Sequence, residues 1–192
     1  HASESWTWEH MALTRARAVA GDGKFLARVA CEVETVISRP RDAAKLAKDA
    51  LDMRALIEEE KPPRDIWDLK LIPGGLIDLE FIAQVATLLG KVAGTERPTG
   101  TAETLSRLSP DYADPQIVQE LFSSHLLYST LTQIIRLCLT GPLDPDDIPP
   151  GLVDLLLRNT DLPELGVLEA HIKETSRQVR KDFELLLRGK SP

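Results

Sequence analysis

The chain has 192 residues and a formal net charge of −7, and 43% of its residues are hydrophobic while 28% are charged. These values exclude wholesale disorder, and the acidic balance argues against a protein that binds nucleic acid through its overall field. No apolar run reaches the ~18 residues of a membrane span, and we find no signal-peptide pattern. We therefore expect a cytoplasmic protein with neither a nucleic acid nor a membrane as its partner.

Hydrophobic residues recur at helical spacing along the chain, and convincing strands of period two are absent. Proline and glycine separate the helical stretches, for example at Arg39-Pro40 and in the loop GPLDPDDIPP. In chain order, we predict helices over residues of about 5–20, 24–38, 41–59, 75–93, 101–108, 114–140, 152–158 and 163–188. The sequence thus predicts an all-α helical bundle of roughly five to six main helices plus short ones, in a single domain over residues 1–192.

Metal-ligating and catalytic patterns are not found. The four histidines are scattered, and Asp144, Asp146 and Asp147 lack the glycine and the distant glutamate of a calcium loop. We predict no metal site and no catalytic residue in this chain. Cys31 and Cys138 lie far apart in helical patterns, so we expect two reduced thiols in the core rather than a disulfide.

A carboxylate lies inside the most apolar of the predicted helices, 75–93. On a helical wheel, Glu80 shares a polar stripe with Gln84 and is expected to face water. Asp78 falls instead among residues that should be core, such as Phe81. Because an unpaired carboxylate there would cost several kcal/mol, Asp78 needs a cation or several hydrogen-bond donors.

The predicted partner of Asp78 is Arg15. The first predicted helix places Arg15 on a largely apolar face, so a buried Arg15–Asp78 ion pair would satisfy both residues. Arg54 and Lys70 are the alternative cations. We interpret Asp78 as a structural residue, and a role facing a ligand is the other interpretation.

The turn Pro73-Gly74-Gly75 before the same helix has two interpretations. Glycines at a helix N-terminus can cradle a phosphate with their backbone N–H groups, and Lys70 would add positive charge. A tight junction between a loop and a helix requires glycine as well, and we favour this structural interpretation.

Four segments carry a family resemblance: WTWEHMALTRARAVAG (6–21), WDLKLIPGGLIDLEFIAQ (67–84), LCLTGPLD (137–144) and TSRQVRKDFELLL (175–187). In this order they are similar to segments of bacterial glutamine synthetase adenylyltransferase, the bifunctional enzyme that adds AMP to glutamine synthetase and removes it. A related DLK…PGG…D-I pattern occurs in the uridylyltransferase of the PII signalling protein. The first segment looks like the stretch after the second, adenylylating catalytic domain, so the chain resembles the final helical domain.

This resemblance implies a nucleotidyltransferase-associated helical domain with an up-and-down four-helix-bundle core, beside a catalytic nucleotidyltransferase domain in cis. It implies a parent enzyme that uses ATP and Mg²⁺, acts on glutamine synthetase, responds to PII and controls nitrogen assimilation. The Gly-Ser loop and paired aspartates that hold magnesium in the family have no counterpart here. We therefore expect the isolated chain to be an inactive accessory or regulatory domain without a cofactor of its own.

The resemblance also suggests which residues face the catalytic domain. Trp6 and Trp8 lie about 200° apart on a helical wheel, so one of them is expected to be exposed and covered by that domain. Arg15, Arg17 and Lys70 are the cations expected nearest the cleft, as contacts to ATP phosphates or to the interface, although we favour Arg15 as the partner of Asp78. We include Gly74 and Gly75 among the residues facing the cleft or interface.

Two other classes of function compete with this interpretation. The first is a helical protein–protein interaction scaffold without a nucleotide-linked role, which periodicity alone would allow. The second is a small helical enzyme that uses Asp78, Glu80 and a histidine. The wheel argues against the enzyme, because Asp78 and Glu80 fall on different faces.

Overall fold

The structure is a computed structural model that describes residues 6–188, and within that range the chain forms eight α-helices. Their bounds are α1 (Thr7–Leu13), α2 (Gly23–Ile37), α3 (Ala43–Glu60), α4 (Leu76–Leu88), α5 (Thr101–Ser106), α6 (Pro115–Cys138), α7 (Pro150–Thr160) and α8 (Leu165–Arg188). Six helices are long and two, α1 and α5, are short. The prediction of an all-α fold with five to six main helices is confirmed.

Aspartate side chains begin three of the long helices. Asp22, Asp42 and Asp114 accept hydrogen bonds from backbone N–H groups in the first turns of α2, α3 and α6. Such caps satisfy donors that have no partner inside the helix and fix where each helix begins. The predicted starts of these three helices therefore agree with the structure to within a few residues.

Helix α1 is shorter than predicted. It ends at Leu13, and the segment that follows is held by Arg97, whose guanidinium donates hydrogen bonds to the carbonyl oxygens of Thr14 and Ala16. Arg97 is 83 residues from Thr14 and 81 residues from Ala16 in the sequence, so these carbonyl groups are bound by a distant side chain. The predicted helix over about 5–20 is wrong beyond this point.

Helix α4 is the centre of the fold. It packs against α1, α3, α5, α6 and α8, and α8 also packs against α3 and α6. Most of its residues are buried, including Leu79, Ile82 and Ala86, which have no exposed surface. The helices α3, α4, α6 and α8 thus form the core of the predicted bundle.

Two further observations concern the surface. Cys31 and Cys138 are both exposed, so the prediction of core thiols is wrong. Cys31 lies on α2, which buries only Ile37, and Cys138 is the last residue of α6. Between residues 6 and 188, no helix has the combined length and hydropathy of a membrane span.

Candidate functional site

Asp78 is the centre of a buried ion-pair cluster. It lies in the first turn of α4 and has no exposed surface. Its Oδ1 atom accepts a hydrogen bond from Nε of Arg54, which is 1% exposed on α3. Its Oδ2 atom accepts one from the backbone N–H of Gly74 at 2.7 Å and one from Nη1 of Arg180 at 3.2 Å. Both oxygens therefore have donors, which offsets the cost of burying the charge.

Arg54 connects this carboxylate to the loop before α4. Its Nη2 atom donates to the carbonyl oxygens of Leu71 at 3.0 Å and Ile72 at 3.2 Å. Its Nη1 atom lies 3.3 Å from Oε1 of Glu58, one helical turn further along α3. A single guanidinium thus joins α3, the loop and α4, in the fork geometry that distinguishes arginine from lysine.

Arg180 connects the cluster to α8. Its Nη1 atom lies 2.7 Å from Glu58 Oε1, and its Nε atom donates to Glu184 at 3.0 Å. Burial lowers the pKa of Arg180, but the charges of Asp78 and Glu58 outweigh burial and raise the pKa above its ordinary value. The guanidinium also lies over the ring of Phe183, 5.3 Å from its centroid. The cluster therefore joins three helices by charged contacts.

The predicted Arg15–Asp78 pair is wrong. Arg15 lies beyond the end of α1, and its Nη1 atom contacts Glu80 at 3.2 Å, in a pair whose side chains are 51% and 28% exposed. Arg54, one of the two alternatives, takes its place because it follows Ala50 on the buried face of α3. That periodicity was present in the sequence.

Arg180 is the cluster member that sequence reasoning missed. It follows the buried Val179 on α8 and is itself half-buried, beside the apolar stripe rather than on it. A wheel of α8 alone gives no sign that the backbone of this helix approaches the turn before α4.

The turn at Gly74 and Gly75 is buried, so the interpretation of these residues as facing a cleft or interface is corrected. The Gly74 N–H binds Asp78, and the Gly75 N–H donates to the carbonyl of Ile72 at 2.9 Å. A Cβ on Gly74, whose φ is +77°, would lie 1.8 Å from the carbonyl oxygen of Ser176. Glycine is needed here for the left-handed backbone and the close approach of α8, and these N–H groups are not free for a phosphate.

The N-terminal part of the chain exposes apolar side chains, whereas the cluster around Asp78 buries charged ones. Trp6, Trp8, Val19 and Phe25 are 69%, 52%, 78% and 58% exposed. The sequence predicts one exposed tryptophan, and the structure exposes both. We call these four residues, together with the apolar side chains of α2, the N-terminal surface.

Helix α2 contributes an apolar face that the rest of the described chain does not bury. Leu26, Val29 and Val36 are only half-buried, and of this helix only Ile37 is buried. Among the closely packed helix pairs of residues 6–188, α2 occurs only with α1. An amphipathic helix ordinarily buries its apolar stripe against a neighbouring element, so this face has the pattern of an interface.

The other predicted cations lie apart from the buried cluster. Arg17 is exposed in the segment between α1 and α2. Lys70 is exposed in the loop between α3 and α4, and it lines a pocket that this loop forms with the end of α6. Within residues 6–188, no group of three or more histidine, cysteine, aspartate or glutamate side chains is arranged to hold a metal ion.

Comparison with known proteins gives one consistent result. The chain is 64% identical over 189 residues to the bifunctional glutamine synthetase adenylyltransferase/adenylyl-removing enzyme of Mesorhizobium japonicum, a match that covers 98% of the chain. It is 51% identical over 185 residues to the enzyme of the same description from Brucella suis, and 44% identical over 189 residues to that from Agrobacterium fabrum. No family model matches the chain.

The matches concern one segment of much longer proteins. The chain spans 19% of the length of each of these curated relatives. The predicted resemblance is therefore confirmed: over nearly its whole length, the chain is similar to a segment of bifunctional glutamine synthetase adenylyltransferase/adenylyl-removing enzymes.

Proposed function

We propose that this chain is the C-terminal helical domain of a glutamine synthetase adenylyltransferase/adenylyl-removing enzyme, and that it accompanies the adenylylating catalytic domain. The observation that carries this proposal is the 64% identity over 98% of the chain, to a segment that makes up 19% of the relative. Continuous similarity at this level is expected for an equivalent domain with the same fold and the same role in the longer protein.

In this proposal, residues 1–192 form one domain that docks against the catalytic nucleotidyltransferase domain in cis. ATP and Mg²⁺ belong to that catalytic domain, glutamine synthetase is the protein substrate, and PII is a regulatory partner of the parent enzyme in the cytoplasm. The exposed side chains of Trp8 and Phe25 and the uncovered face of α2 support docking through the N-terminal surface. The ion-pair cluster supports a rigid bundle behind that surface.

The described residues argue against a separate chemistry for the chain. Both oxygens of Asp78 are engaged by donors, and Glu80 is paired with Arg15 on another side of α4. A general acid or base needs an atom within hydrogen-bond reach of a substrate, and the buried Asp78 has none available. We therefore propose that the isolated chain transfers no AMP to glutamine synthetase. AMP transfer by the chain alone would contradict the proposal.

The docking experiment uses two separately expressed parts of the parent protein. The 192-residue chain is titrated with the catalytic segment that precedes the matching region, and binding is followed by calorimetry. We expect saturable binding that the double substitution Trp8→Ser and Phe25→Ser weakens by about ten-fold or more, since apolar anchors dominate interface energies.

The matched control for docking is Leu155→Ser. Leu155 is a 41% exposed hydrophobic residue on α7, outside the N-terminal surface. We expect this substitution to leave the affinity unchanged. No binding by the unmodified chain, or equal losses in the control and the double variant, would refute docking through this surface. The remaining reading would then be a helical scaffold without a nucleotide-linked role.

A further inference from the structure

We propose that the pocket between the α3–α4 loop and the end of α6 binds a small oxyanion, such as a phosphate or carboxylate group. We call it the loop–α6 pocket. It has a volume of about 190 Å³ and includes Arg64, Trp67, Lys70 and Arg136 in its lining. The segment Gly141–Leu143, which follows α6, closes one side. This inference does not depend on the docking of a catalytic domain.

Three cations converge on this pocket without partners. Arg64 and Lys70 come from the loop, and Arg136 comes from the last turn of α6. None of the three side chains has an ion pair or hydrogen bond in the described part of the chain. By contrast, Arg54 and Arg180 both have carboxylate partners in the buried cluster. Cations gathered around one concavity repel each other, and an anion between them relieves that repulsion.

Trp67 provides an independent observation. It is 6% exposed and lines the pocket, and its Nε1 atom is buried without a hydrogen-bond acceptor. Its backbone N–H, by contrast, donates to Oδ1 of Asp65 at 2.7 Å. Buried indole N–H groups usually have an acceptor, because leaving the donor unsatisfied costs stability. Because this N–H has no accessible surface, an oxyanion in the pocket reaches it only after a small movement of the ring or of the loop, and it then supplies the missing acceptor.

The charge and the size of the pocket limit the ligand. Asp65 and Asp68 also line it, so the three cations leave an excess of one positive charge. A group the size of phosphate or acetate fits a volume of about 190 Å³, whereas a whole nucleoside triphosphate does not. The chemistry of the site therefore selects a compact oxyanion with the Trp67 N–H, Lys70 and Arg136 as its donors.

The indole N–H of Trp67 is a direct reporter for this ligand. The chain has three tryptophans, and Trp6 and Trp8 are exposed, so an ¹⁵N-labelled sample gives one buried and two exposed indole signals. A Trp67→Phe variant assigns the buried signal. We titrate the chain with inorganic phosphate and, separately, with acetate, replacing chloride at constant ionic strength. We expect a saturable downfield shift of the Trp67 signal alone, and the tighter of the two anions identifies the preferred group.

Substitutions then test the donors. Lys70→Gln and Arg136→Gln remove exposed charges and are expected to fold, and each should weaken binding by about ten-fold, as is typical for a charge-assisted hydrogen bond. Arg158→Gln removes an exposed charge in the last turn of α7, outside the pocket, and should leave the affinity unchanged. The proposal is overturned if neither anion gives a saturable shift, if all three indole signals shift together, or if Arg158→Gln weakens binding as much as the pocket variants do.

Discussion

The buried cluster around α4 and the N-terminal surface satisfy opposite physical requirements. Around Asp78, Arg54 and Arg180, charges that would be costly in the core all find partners inside the chain. In α1 and α2, apolar side chains such as Trp8 and Phe25, which would be stable in a core, remain exposed. The charged groups of the first region have their partners within the chain. The second region exposes apolar side chains, as an interface does.

We therefore expect substitutions in the two regions to have different effects on folding and on docking. A change in the cluster should affect the folding of the chain whether or not a partner is present. A change at the N-terminal surface should affect folding little and docking strongly. Substitutions in the two regions, and at one further buried carboxylate, test this separation.

Removal of the central carboxylate should have the largest effect. Asp78→Ala leaves the buried Arg54 with Glu58 as its remaining carboxylate partner, and should lower the free energy of unfolding by about 3–5 kcal/mol. Urea unfolding followed by circular dichroism measures the change. The control Glu80→Ala breaks the exposed pair with Arg15 and should cost at most about 1 kcal/mol. Equal costs at the two positions would show that the buried cluster stabilises the chain no more than an exposed ion pair does.

The turn at Gly74 gives the next largest effect. Gly74→Ala places a Cβ 1.8 Å from the Ser176 carbonyl oxygen at a φ of +77°, and should destabilise the chain by about 2 kcal/mol or more. Gly151→Ala is the matched control, since beyond the neighbouring residues and the backbone of α7 itself no atom lies within 4 Å of the added Cβ. This control should be neutral or slightly stabilising, because alanine favours a helix over glycine. Thermal unfolding of both variants shows whether the loss of stability comes from the turn at Gly74 or from replacing a glycine in general.

Asp182 is a second buried carboxylate, and unlike Asp78 it forms no ion pair with the cations of residues 6–188. It is 2% exposed on α8, and among residues 6–188 its oxygens accept hydrogen bonds only from Gln178, at 3.1 Å. Burial, reinforced by the charge of Glu120, raises the pKa of Asp182 above 3.8, while Gln178 and Lys181 partly oppose this. The folded state therefore binds the proton more tightly than the unfolded state does.

The sign of the resulting pH dependence follows from that shift. The contribution of Asp182 to stability is fully present below the unfolded pKa and is lost as the pH rises through the raised folded pKa. Asp182→Asn cannot ionise, so it should gain stability relative to the unmodified chain as the pH increases, by about 1 kcal/mol or less. Urea unfolding at several pH values measures the difference. A stability difference that does not change with pH would show that the fold does not raise the pKa of Asp182.

The smallest effect on stability is expected at the N-terminal surface. Phe25→Ser removes a 58% exposed ring and should change the free energy of unfolding by no more than about 0.5 kcal/mol. Phe183→Ala, by contrast, removes a ring with no exposed surface and should cost about 3–5 kcal/mol. A large loss of stability in Phe25→Ser would mean that this surface belongs to the core of the isolated chain.

Local sequence signals predicted most of the fold. Apolar spacing, with proline and glycine between the helical stretches, predicted the helices, and the caps that the structure shows at Asp42 and Asp114 lie close to two of the predicted starts. The wheel of α4 correctly separated Glu80 from Asp78 and predicted that Asp78 needs a cation. Periodicity and capping act over a few residues, so a single sequence is sufficient to read them.

The sequence offered Arg54 only as an alternative to Arg15, because the choice between the two cations depends on contacts distant in the chain. Arg15 was placed on an extended α1, but Arg97 binds the carbonyls beyond Leu13 and the helix ends there. Arg180 reaches Asp78 from 102 residues away. The exposure of α2 could not be predicted from the sequence for a similar reason. An amphipathic pattern predicts an apolar face but not whether the same chain covers that face.

Hydrogen exchange of α2 tests our proposal that the catalytic domain covers the N-terminal surface. Backbone exchange over Gly23–Ile37 is compared between the 192-residue chain and the intact parent enzyme, with α8 as the internal reference. We predict that exchange in α2 slows by about ten-fold or more in the intact enzyme while exchange in α8 changes little, because docking protects the uncovered helix. The same rapid exchange of α2 in both proteins would contradict the account.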